Sequence, residues 1–68
     1  MQLILRDPSY TERLAAFLRS VGQAPVVAGP AAVELRAPLA EEDARLEVEI
    51  YLRVWRVLYP EAAVSLAA

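Results

Sequence analysis

From Leu39 to Tyr59 the chain is apolar around far more of its circumference than one sheet can cover. At about 100° per residue, its polar side chains collect on one narrow row: Glu42, Arg45, Glu49, Arg53 and Arg56. A surface helix ordinarily shows an apolar stripe a little over 100° wide, and this one shows roughly twice that. The pattern predicts a helix over 39–59 with two packing surfaces. Ala44, Val48, Tyr51, Leu52, Trp55, Leu58 and Tyr59 form the side assigned to a sheet. Leu46, Ile50, Val54 and Val57 form a second sector beyond Glu47, and these four are the predicted oligomer interface.

The remaining pattern supplies the sheet and a second, simpler helix. Gln2 to Arg6 reads as a short strand with Leu3 and Leu5 on one face, stopped by Asp7-Pro8. A helix follows, starting between Asp7 and Ser9: Asp7 is a candidate cap with Pro8 in the first turn, and Ser9 with Glu12 a candidate capping box. Tyr10, Leu14, Phe17, Leu18 and Val21 make one stripe, and Gly22 stands where a helix end favours positive φ. Ala24 to Ala28 and Ala31 to Ala37 read as strands around the Gly29-Pro30 turn. Ala31, Val33, Leu35 and Ala37 are expected inward, with Glu34 and Arg36 outward. Pro25 assigns the first strand of this hairpin to a sheet edge. Pro60 stops the long helix, and Ala62 to Leu66 is a last strand with Val64 and Leu66 inward.

The order β-α-β-β-α-β across one domain, 1–68, predicts an α+β fold. With right-handed crossovers it most economically gives the ferredoxin-like layout, a four-stranded antiparallel sheet with both helices on one face. The first and third strands are then central. A chain of 68 residues buries only about 60% of its unfolded surface and needs support beyond its own core. There is no cysteine to make a disulfide. Oligomerisation is the remaining device, so a homodimer or larger closed assembly is expected.

Charge and chemistry narrow the function classes. There is no histidine, and all seven basic residues are arginine, which removes imidazole bases and Schiff-base lysines. Residues 1–38 carry four Arg against three acids, and residues 39–68 three Arg against six, for a net charge of −2. No basic patch marks a nucleic-acid surface. The outer sheet positions Ile4, Arg6, Glu34 and Arg36 hold no aromatic platform for RNA bases. No apolar run approaches the roughly 20 residues of a membrane span, and no secretory signal is visible, so a cytoplasmic location is expected. Glu41, Glu42 and Asp43 are the only carboxylate cluster. Consecutive helix residues point in different directions, so the cluster reads as a complement to the helix dipole. Trp55 reads as core or interface. Glu47, lying between the two apolar sectors, is the one group whose burial would suggest catalytic use; its simpler reading is a rim position paired with an arginine across the interface. No cofactor or metal is expected, and the chain is expected to act by binding, not catalysis.

At Leu5-Arg6-Asp7-Pro8, ahead of a helix, the chain resembles the small-molecule-sensing ACT domains, which share the β-α-β-β-α-β order. The resemblance covers topology. Where those domains usually have a glycine in the first strand–helix turn, this chain has Pro8-Ser9, and no site residue is carried over. It implies a second possible role, a regulatory module with a ligand pocket at a subunit interface. The leading expectation is a self-associating interaction or structural domain, with a further protein partner possible.

Overall fold

A computed structural model describes residues 1–36 and 41–67, with Glu41 described by its backbone alone. The expected strand end at Ala37, the break at Pro38 and the first helical positions Leu39 and Ala40 lie outside the described residues.

Strand β1 (Gln2–Leu5) leads through a 3-10 turn (Pro8–Tyr10) into helix α1 (Thr11–Ser20). The hairpin β2 (Pro25–Gly29) and β3 (Ala32–Leu35) follows, then helix α2 (Glu41–Leu58) and strand β4 (Val64–Ala67). All strand pairs are antiparallel, in the order β2-β3-β1-β4. β1 and β3 are therefore central, and the Pro25 strand lies on an edge.

One sheet face is buried. Leu3, Leu5, Val33, Leu35 and Val64 join Leu14 and Leu18 of α1 and Val48, Leu52 and Trp55 of α2 in a single core. On the opposite face Gln2, Ile4, Arg6, Glu34 and Arg36 are exposed, as the two-residue alternation of a strand requires. Ala31 packs against the core from just before β3.

The start of α1 differs from the expected one. Asp7 accepts the backbone N–H of Ser9 at 3.0 Å and its hydroxyl at 2.8 Å. These two donors hold the Asp7 carboxyl below the usual carboxylate range, the backbone one most strongly. Asp7 thus caps a 3-10 turn, and the α-helix begins only at Thr11. Ser9 is not the cap, because its hydroxyl is spent on Asp7. Thr11 is buried and donates its hydroxyl to the Pro30 carbonyl at 2.7 Å, tying α1 to the hairpin turn.

The end of α1 follows the expectation. Gly22 has φ of +87°, its N–H reaches the Arg19 carbonyl, and Gln23 N–H reaches the Leu18 carbonyl. That pair of bonds is a Schellman ending. The last strand starts later than expected, at Val64. Ala62 is buried but lies before it, with its carbonyl taken by the Trp55 indole N–H at 2.8 Å.

Candidate functional site

The side chains of α2 divide into three sectors. The first is the core side: Ala44, Val48, Leu52 and Trp55 are buried, with Tyr51 and Tyr59 half-buried beside them. Trp55 is wholly enclosed. Tyr59 packs against it with ring centroids 4.5 Å apart, Phe17 at 5.6 Å and Tyr10 edge-on at 6.4 Å. The Arg13 guanidinium lies 5.2 Å from the Tyr10 ring centre and 5.3 Å from that of Tyr59. Trp55, the largest of the group, offers no face to a ligand.

The second sector is open. Leu46, Ile50, Val54 and Val57 are 62, 57, 47 and 81% exposed. Leu58 joins them at 55%, which corrects its expected place on the sheet side. Tyr59 packs on the core while Leu58 faces out, on the boundary of the core side next to the helical position of Glu47. Four large aliphatic side chains therefore line one helix face from Leu46 to Val57, with Leu58 exposed beside its end.

Glu47 stands beside this row. It is half-buried and accepts the Tyr51 hydroxyl at 2.7 Å and the Gln23 amide at 3.4 Å. Both partners belong to the same chain, so Glu47 ties α2 to the end of α1. The hydrogen bond to Glu47 raises the Tyr51 phenol above its ordinary value, and burial adds to the shift. Glu42 and Asp43 are exposed, and the side chain of Glu41 lies outside the described residues. Among the described residues no three carboxylates gather at one point.

The third sector is the polar row, where the structure adds something the sequence pattern did not suggest. Arg45, Glu49, Arg53 and Arg56 overhang Val64, Ser65 and Leu66 of β4, and a groove of about 410 Å³ lies between them. Arg45 pairs with Glu49 at 3.5 Å, the one ion pair among the described residues. Arg53, four residues beyond Glu49, forms no ion pair with it.

Among the described residues β4 is an edge strand with one open side. Antiparallel pairing alternates residues whose backbone groups face the partner with residues whose groups face away. Arg6 donates its N–H to the Ala63 carbonyl at 3.0 Å. In this register Ser65 and Ala67 also face β1, opposite Ile4 and Gln2. The N–H and C=O of Val64 and Leu66 consequently face the open side, below the arginines. A sequence reading treats such a row as a solvated face because nothing local says which strand ends up beneath it.

Among the described residues no helix is long and apolar enough to cross a membrane. No protein-family model, curated protein or solved structure matches the chain.

Proposed function

We propose that this chain is a ferredoxin-like domain that acts by binding protein and not by catalysis, and that it works as a homodimer joined through α2. The layout rests on the strand order, with β1 and β3 central and both helices sharing one core. The single observation that carries the binding role is the exposed row Leu46, Ile50, Val54, Val57 and Leu58, open over residues 46–58 of α2. On a domain this small, a continuous apolar row of that length marks an interaction surface.

Two features favour a second copy as the occupant. The row is purely aliphatic, and the matching surface it needs is another aliphatic helix face, which every copy carries. The charges of α2 are also segregated. Residues 41–49 hold five acids and one arginine, and residues 50–58 hold Arg53 and Arg56 with no acid. A parallel copy would set acid against acid. An antiparallel copy avoids that clash, and a two-fold axis across the middle of the row satisfies both chains equally. Burying the exposed half of ten such side chains contributes roughly 10 kcal/mol before association costs.

Sedimentation equilibrium at micromolar concentration tests the proposal. The expected result is a dimer that Ile50→Glu converts to a folded monomer. A wild-type chain that stays monomeric across that range overturns it. The Glu47→Gln variant separates binding from catalysis: assembly is expected to survive, because the Tyr51 hydroxyl keeps an oxygen acceptor.

A further inference from the structure

The groove between α2 and β4 shares no lining residue with the dimer row. We propose that it is a binding site for an extended acidic peptide, which would pair with the open edge of β4 beneath the arginines of α2. The proposal does not depend on the homodimer.

Three observations meet at this place. The first is the main chain: Val64 and Leu66 turn their N–H and C=O groups to the open side, the template that an added strand uses. The second is charge. Arg45, Arg53 and Arg56 face the groove against Glu49 alone, a local net charge of +2 on a chain whose total is −2. Arg45 is engaged with Glu49, which leaves Arg53 and Arg56 to meet a ligand. The third is room: about 410 Å³ lies within the range of clefts that hold small ligands or a few residues.

The geometry also sets the pattern of the peptide. In an added strand, alternate side chains point to the helix side and to the outer face of the sheet. Those on the helix side lie under the arginines, where carboxylates accept charge-assisted hydrogen bonds from the guanidinium forks. Those on the other side lie beside Ser65, where small or β-branched residues fit. The ligand class is thus an extended segment with an acid at every second position. A second copy of β4 is a poorer occupant, because Val64, Ser65, Leu66 and Ala67 bring no carboxylate to the arginines.

The test is a titration of isotope-labelled protein with acetyl-Thr-Glu-Thr-Glu-Thr-amide, followed by amide NMR shifts at low salt. The expected result is saturable movement of the Val64 and Leu66 amides, and no comparable movement with the peptide carrying Lys in place of Glu. The pair Arg53→Ser and Arg56→Ser is expected to weaken binding about tenfold while leaving the spectrum of the free protein intact. Equal binding of the Glu and Lys peptides, or movement confined to other strands, overturns the proposal. So does saturation of the same amides by acetate or inorganic phosphate at the peptide's affinity, which defines a small-anion site. Concentration-dependent movement of Val64 and Leu66 without peptide assigns the edge to a second copy, and also overturns it.

Discussion

At the scale of single residues, the fold depends most on Trp55. Its ring is wholly buried against Phe17 of α1 and Tyr59, and its N–H is the only side-chain donor to the buried Ala62 carbonyl among the described residues. Trp55→Phe keeps an aromatic ring but loses that donor and leaves a small void. A buried carbonyl without a partner costs about 1–3 kcal/mol and the void adds to it, for roughly 3 kcal/mol in all. Urea denaturation is expected to show a lowered midpoint with an unchanged slope. A second residue-scale effect comes from phenols that donate to carboxylates: Tyr10 to Glu61 at 2.8 Å and Tyr51 to Glu47 at 2.7 Å. Each hydrogen bond raises its phenol above the ordinary value, with burial adding to it. The folded state thus favours the protonated phenol. The stability this contributes is complete below the unfolded value of about 10 and is lost as pH rises through the raised folded values. Denaturation midpoints are expected to fall through that alkaline window. The double variant Tyr10→Phe, Tyr51→Phe should be less stable at neutral pH and show a shallower alkaline fall.

At the scale of elements, the chain's periodicity was a good guide wherever a helix or strand needed one buried face. The alternation of Val33, Glu34, Leu35 and Arg36 and the spacing of Leu14 and Leu18 gave faces that the structure keeps. Element ends were less legible. At the start of α1, Asp7 and Ser9 were both plausible caps on local grounds. The choice turned on a contact between them and on the tie from Thr11 to Pro30, a residue far away in sequence. Leu58 is exposed and not on the sheet side, because its helical phase lies at the edge of the core sector, where phase alone does not decide burial. Gly22 was legible because its requirement is local. A side chain there would meet nothing within 4 Å, so the demand is for positive φ and not for space. Gly22→Ala is therefore expected to cost about 1–2 kcal/mol through backbone strain alone. Gly22→Asn should cost less, since Asn enters this region more easily. Thermal unfolding of the two variants measures the difference, and equal losses would mean that the cost does not come from the positive φ of Gly22.

At the scale of the whole molecule, the same α2 residues that complete one core leave an open row on the other side. The row itself was readable from spacing, because four aliphatic side chains beyond Glu47 exceed what one sheet can use. The groove over β4 was not, because it exists only where the polar row of α2 comes to lie above a strand formed from the end of the described chain. A domain with one small core has little stability in reserve. Binding of a partner by the folded state alone adds stability that grows with partner concentration. If the partner of the α2 row is a second copy, the chain stabilises itself by mass action. The urea midpoint is then expected to rise with protein concentration across the range in which the dimer forms. Ile50→Glu places a charge at the centre of the row, where it is solvated in a monomer and buried against its own copy in a dimer. That variant should fold, keep the wild-type midpoint measured at high dilution, and lose the concentration dependence. A wild-type midpoint that does not move with concentration would separate the row from self-association and leave a different protein as its occupant. A variant that fails to fold even at high dilution would instead place Ile50 in the support of the monomer, against its exposure of more than half.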